Sequence, residues 1–235
     1  MIEKEGAGNI AAFIAEPVMG AGGAIPPPHT YFQRVQEVLK KHDVLMIADE
    51  VITGFGRTGT SWGLDHWGVV PDVISFAKGI TSGYQPLGGI IISDAIRDVI
   101  YDQPPAQRWW HAYTYSAHAT CCAVAHANLD LIEREGLVAR AGALGERLVA
   151  GLAPLAGHPA VREVRGFGLM AAVEFTAGAV PGGGGALAKA MRDRGLFTRY
   201  RNDTVMFAPP FVTTDAELDE LLGITRDSVR AVTGE

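Results

Sequence analysis

Cysteine is almost missing: the 235 residues hold only Cys121 and Cys122, adjacent in sequence. Neighbours are badly placed to bridge each other, so a disulfide framework is excluded and a reducing cytoplasm fits. Long apolar runs are missing too. Stretches such as Val44 to Ala48 fall far short of the ~20 residues a membrane helix needs. The start, Met1-Ile2-Glu3-Lys4-Glu5, is polar and has no signal-peptide core. Basic charge is in deficit, with 20 Lys and Arg against 26 Asp and Glu and a formal net charge of −6. That balance argues against a nucleic-acid surface, which needs a basic field. Disorder is excluded by 48% hydrophobic and 20% charged residues.

Glycine, by contrast, is abundant at 29 residues. Without a collagen period, this excess implies tight turns and close backbone approaches. The apolar run 11–15, ending at Glu16-Pro17, reads as a buried strand that Pro17 stops. A helix is expected over 29–41, where Phe32, Val35, Val38 and Leu39 share one face. Val44 to Ala48 is the next strand, ending at Asp49-Glu50. Strand, helix, strand at this spacing predicts a right-handed βαβ unit with parallel strands. Further strands are expected over 73–77, ending at Lys78, and 89–92, with Ser93 as a helix cap. The first ~115 residues thus read as a sheet buried on both faces.

Helices are expected over 118–134 and 137–152. Beyond them lie strands over 161–164 and 169–175, a flexible Gly182–Gly185 loop, a helix over 186–194 and short strands near 197–199 and 204–207. A final helix starts at Thr214, which forms a capping box with Glu217. The residues after about 136 read as a small α/β domain beside the sheet domain.

Asp49 and Lys78 both follow apolar strands immediately. In open parallel sheets, ligands collect at the carboxyl ends of the strands. A shared crevice and a plain salt bridge both fit this placement. Gly54-Phe55-Gly56-Arg57-Thr58-Gly59 matches the dinucleotide pattern G-x-G-x-x-G, but no helical face follows and position 79 is Gly, not an acid. Nicotinamide binding is therefore rejected. His118, Cys122 and His126 share a helical face that could hold a metal. No fourth ligand is evident, and a helix packing small residues is the preferred reading. His111, Thr114, Tyr115 and Ser116 cluster before that helix, where a hydroxyl can either bind an anion or cap the helix. Arg199 and Arg201 suit bidentate carboxylate recognition, although most exposed arginines are only solvated.

Jointly, these segments resemble the later part of a class III aminotransferase, the pyridoxal-phosphate family that includes ω-amino-acid–pyruvate and 4-aminobutyrate aminotransferases. The likeness rests on Ala15-Glu16-Pro17-Val18-Met19-Gly20-Ala21-Gly22-Gly23, on 48–59, on Pro71-Asp72 through Ala77-Lys78-Gly79, on Thr114-Tyr115-Ser116 and on Ala208-Pro209-Pro210. It covers essentially the whole chain. The implied fold is α/β: the later part of a fold-type I large domain over 1–135, a mostly parallel sheet with helices on both faces, plus a small C-terminal α/β domain over 136–235.

The resemblance implies transfer of an amino group from an amine or ω-amino acid to a keto acid such as pyruvate. Pyridoxal 5'-phosphate would be the cofactor, with Lys78 as catalytic residue through a Schiff base. Asp49 would hold the proton on the ring nitrogen. Val51, two residues on in an extended segment, would pack on the ring. Thr114 would reach the cofactor phosphate of the neighbouring subunit, which implies a homodimer. Arg199 matches the mobile arginine that pairs with a substrate carboxylate, and Glu16 would lie near the ring, with no role assigned to it. Ser116-Ala117-His118-Ala119 departs from the usual Ser-Gly-His-Pro. The family's other phosphate cup and aromatic ring cap belong upstream of Met1. The chain therefore reads as the C-terminal portion of such an enzyme, with a non-catalytic remnant as the alternative.

Overall fold

The computed structural model describes residues 1–234. The chain forms two compact units. One comprises Met1–Pro17, Pro28–Phe55 and Trp62–Glu135; the other comprises Val18–Pro27, Gly56–Ser61 and the chain from Gly136.

The first unit is built on strands β1 (Ala12–Ala15), β2 (Leu45–Asp49), β3 (Val73–Phe76) and β4 (Gly89–Ile92), in that spatial order. β1, β2 and β3 run parallel, and β4 returns antiparallel to β3. A short helix α1 (Ile2–Glu5) leads in, and α2 (Tyr31–Lys41) connects β1 to β2. α2 buries Phe32 and Leu39, and Phe32 meets Trp67 edge to face at 5.2 Å. Asp72 ties two strands: its N–H donates to the Met46 carbonyl, and its carboxylate accepts from the Met46 N–H at 2.7 Å. α3 (Asp94–Tyr101) is capped by Ser93, whose Oγ accepts from the Ile96 N–H. α4 (Ala119–Arg134) closes the unit. The sheet is not buried on both faces as the apolar runs suggest. Ile14 is 61% and Ile90 53% exposed, and both project from the face that carries Asp49 and Ser75. Apolar composition signals a sheet made for two covered faces; covering each face depends on which elements reach it.

The second unit has a four-stranded antiparallel sheet in the order β5 (Val161–Gly166), β6 (Ala171–Phe175), β8 (Thr204–Phe207), β7 (Arg199–Arg201). Helices α5 (Leu137–Leu152), α6 (Gly183–Arg192) and α7 (Asp215–Thr233) complete it. Its core gathers Leu148, Val173, Leu187, Met191, Val205 and Leu218. The Thr214 capping box forms as expected: Thr214 Oγ1 accepts from the Glu217 N–H at 3.2 Å, and the Glu217 carboxylate accepts from the Thr214 N–H at 2.7 Å.

The glycine run is no flexible loop. Gly183 and Gly184 are the first turn of α6. A Cβ on Gly184 would lie 2.6 Å from the Asn202 carbonyl oxygen, so glycine is needed for close approach rather than for mobility. The edge strand also starts two residues later than expected, at Arg199.

Candidate active site

Asp49 ends β2, in register with Ser75 of β3. Its Oδ1 accepts from the Val51 N–H at 3.1 Å and from the Ser75 hydroxyl at 3.4 Å. Among the described residues, none donates to Oδ2. One carboxylate oxygen is thus anchored, and the other is free for a ligand cation or N–H.

The Val51 contact corrects an expectation. The chain does not continue extended past Asp49. The side chain of Asp49 bonds its own backbone two residues on, and the Gly54 N–H donates to the Glu50 carbonyl at 2.9 Å. Asp is suited to such a turn because its short carboxylate mimics a backbone acceptor. Val51 therefore lies half-buried in a turn, and strand alternation does not set its direction.

Lys78 follows β3 by two residues, with an exposed side chain and φ of 45°. A non-glycine residue in this left-handed region is uncommon and needs support from its surroundings. Asn128 of α4 supplies it. Its Nδ2 donates to the Gly79 and Ile80 carbonyls at 2.8 and 3.1 Å. The buried Thr81 adds a hydroxyl bond to the Gln85 carbonyl at 2.6 Å. Asn128 was invisible to motif reading because a lone polar residue on a helix face carries no signal until the turn it meets is known.

Glu50 is the other residue that sequence patterning missed. It is 1% exposed, and its carboxylate accepts from the Thr53 hydroxyl and from the N–H groups of Gly63 and Leu64 at 2.8 and 3.0 Å. Burial pushes its pKa up, against the lowering effect of those three donors. Glu50 thereby fixes the loop that leaves the strand at Asp49. The signal was an acid directly after a buried strand, where Asp49 drew the attention.

The G-x-G-x-x-G stretch forms turns, and no helix starts within it. In the second unit Arg57 donates to the Leu169 and Pro209 carbonyls at 3.2 and 2.7 Å, and its guanidinium lies 4.6 Å from the Phe211 ring centre. Burial lowers its pKa to about 10, so it remains a cation at neutral pH. This stretch serves chain packing.

Thr114 sits in an exposed turn four residues before His118, the N-cap of α4. The Ser116 hydroxyl accepts from the Tyr113 N–H at 2.9 Å, so it shapes that turn rather than the helix start. His118, Cys122 and His126 do not form a metal cluster: among the described residues, no three His, Cys, Asp or Glu side chains could hold an ion. Arg199 lies exposed on β7 of the second unit. Glu16 is half-buried just past β1. The structure thus brings Asp49, Ser75, Val51 and the Lys78 turn to the carboxyl ends of two paired parallel strands.

The free Asp49 oxygen can accept from an N–H or pair with a cation, and the exposed Lys78 amine can act as a nucleophile. The comparisons with known proteins then decide the family. Residues 1–229 match the model of the aminotransferase class-III family. This chain is a class III aminotransferase sequence. Class III aminotransferases use pyridoxal phosphate. The chain is 46% identical to an uncharacterized aminotransferase, y4uB, of Sinorhizobium fredii, over 100% of this chain and 53% of that protein. It is 44% identical to a diaminobutyrate–2-oxoglutarate transaminase of Halomonas elongata, over 99% of this chain and 52% of that protein. The omega transaminase of Pseudomonas jessenii, solved in complex with PMP, superposes with a TM-score of 0.95 at 40% identity, covering 99% of this chain and 53% of that one. The chain therefore spans about half the length of the curated relatives it matches. The α/β fold expected for a class III aminotransferase is the one observed. Among the described residues, no helix is long and apolar enough to cross a membrane.

Proposed function

We propose that this chain carries the lysine and the ring-binding aspartate of a pyridoxal-phosphate-dependent aminotransferase. The transferred amino group passes from an amine or ω-amino acid to a keto acid such as pyruvate. One observation supports the reading above all: the Asp49 carboxylate at the end of β2, with Oδ1 anchored and Oδ2 free, in register with the strand that leads to Lys78. When bound, the cofactor supplies an electron sink for bond cleavage at the substrate carbon. Lys78 is the residue that would hold the cofactor through its aldehyde, and its amine would move a proton from and to the substrate carbon. Asp49 Oδ2 would hold the proton on the ring nitrogen of the bound cofactor, and Val51 would pack on the ring. Thr114 offers its hydroxyl to the cofactor phosphate of a neighbouring subunit in a homodimer. Arg199 pairs with the carboxylate of the keto acid. Residues 1–135 act as part of the cofactor domain and 136–235 as the small domain. The working compartment is the cytoplasm.

The cofactor phosphate carries nearly two negative charges and needs several aligned donors, and Thr114 supplies one hydroxyl. This chain by itself therefore retains cofactor weakly and turns over little. The test is borohydride trapping with pyridoxal phosphate followed by peptide mapping. We expect the label on Lys78. A label on another lysine, with Lys78 clean, overturns the assignment.

A further inference from the structure

We infer that Arg201, together with Arg199, forms a two-point site for a dicarboxylate, with Arg201 setting the preference for a second carboxylate on the acceptor acid. The inference rests on the aminotransferase reading, in which Arg199 takes a substrate carboxylate.

β7 is the edge strand of its sheet and pairs on one side only, with Arg199 opposite Met206 and Arg201 opposite Thr204. Residues two apart in a strand point to the same face, about 6.6 Å apart along the chain. The two guanidiniums therefore rise from one face of one edge, while Tyr200 turns to the other. All three residues of β7 are exposed.

The charges on that face are unbalanced. The row through Arg201 continues across Thr204 to Glu174 and Glu163; the row through Arg199 continues across Met206 and Ala172 to Arg165. Both glutamates are already taken. Glu174 accepts from Arg162 at 2.8 Å and from Arg165 at 2.6 Å, and Glu163 accepts from Arg165 at 2.8 Å. Arg165 itself is only 8% exposed and also donates to the Gly23 carbonyl. Four arginines thus meet two carboxylates, and the two whose side chains make no ion pair or hydrogen bond among the described residues are Arg199 and Arg201. The surplus of two positive charges stands out in a chain of net charge −6.

The ligand chemistry follows from the donors. Each guanidinium is a planar fork suited to one carboxylate. Two forks at strand spacing match the two ends of a four- or five-carbon dicarboxylate. A monocarboxylate can use only one of them.

The experiment titrates the chain, without cofactor, with glutarate, butyrate and inorganic phosphate, reading the arginine Nε–H resonances by NMR at low salt. Glutarate should bind about fivefold tighter than butyrate and shift both arginine signals, the preference fading toward 1 M salt. Arg201→Gln should bring glutarate down to the butyrate value and leave butyrate unchanged. Arg199→Gln should do the same, since either fork alone holds one carboxylate. Both sites are exposed, and melting curves should stay unchanged. Equal affinity for glutarate and butyrate in the unaltered chain overturns the inference, as does a preference that survives Arg201→Gln. Phosphate matching glutarate shows a general anion patch and overturns it too. The Lys78 label is read independently: a clean Lys78 with the glutarate preference intact rejects transamination and keeps the dicarboxylate site. A labelled Lys78 with no preference does the reverse.

Discussion

Replacing Glu50 by alanine should destabilise the first unit by about 3 kcal/mol at neutral pH. The carboxylate is buried and accepts three hydrogen bonds, two of them from the backbone N–H groups of Gly63 and Leu64. Each buried donor left without a partner costs about 1–3 kcal/mol. The Thr53 hydroxyl can rotate to another acceptor, so the two amides dominate. Two amides would cost about 2–6 kcal/mol; removing a desolvated acid relieves part of that loss, which sets the expectation in the lower half of that range. Glu50→Gln keeps one acceptor oxygen and should cost less. The pH dependence has a definite sign. Burial raises the folded pKa of Glu50 above 4.5, so the folded state binds the proton more tightly. The stability this shift contributes is fully present below about 4.5 and is lost as pH rises through the folded pKa. The stability gap between the native chain and Glu50→Gln should therefore narrow as pH rises. The assay is urea unfolding followed by tryptophan fluorescence, since all four tryptophans lie in the first unit. A gap that widens with pH would show that the three donors outweigh desolvation. A cost below about 0.5 kcal/mol for Glu50→Ala would refute the accounting of unpaired amides.

Gly145→Ala places a better helix former inside α5, ordinarily a gain of about 1 kcal/mol. Its Cβ would lie 2.3 Å from the Gly168 carbonyl carbon, so we expect a net loss of about 2 kcal/mol, read by far-UV circular dichroism in urea; a more stable variant would refute the close approach. The Glu217 pKa is held down by the Thr214 N–H and, second, by the Thr214 hydroxyl; Thr214→Ala removes the hydroxyl and leaves the N–H in place. A depressed carboxyl pKa contributes stability above about 4.5 that is lost as pH falls. The part of that stability owed to the hydroxyl is missing in Thr214→Ala, so the melting temperatures of the native chain and the variant should draw closer on acidification, and a constant difference would show that the bond from the hydroxyl to the carboxylate plays no part.

Much of this class III aminotransferase sequence was legible before folding. Apolar runs punctuated by Pro17, Asp49 and Lys78 marked the parallel strands, because a buried strand is a short apolar run that must end in polar or turn residues. Thr214 and Glu217 announced the last helix because a capping box is local chemistry, three residues wide. Asp49 and Lys78 stood out for the same reason: their position is defined by the strand each one ends. Other features depend on what comes from far along the chain. Gly182 to Gly185 looked flexible, since nothing in the run itself reveals Asn202 pressing on Gly184. Val51 left the extended path because the Asp49 side chain captured its N–H, a competition between backbone and side chain that alternation cannot register. Glu50 and Asn128 became meaningful only when residues 13 and 49 positions away supplied their partners. The surplus charge beside Arg199 and Arg201 was likewise decided by tertiary structure. Sheet pairing set Glu163 and Glu174 against Arg162 and Arg165, and left the edge strand's two arginines without a counter-ion.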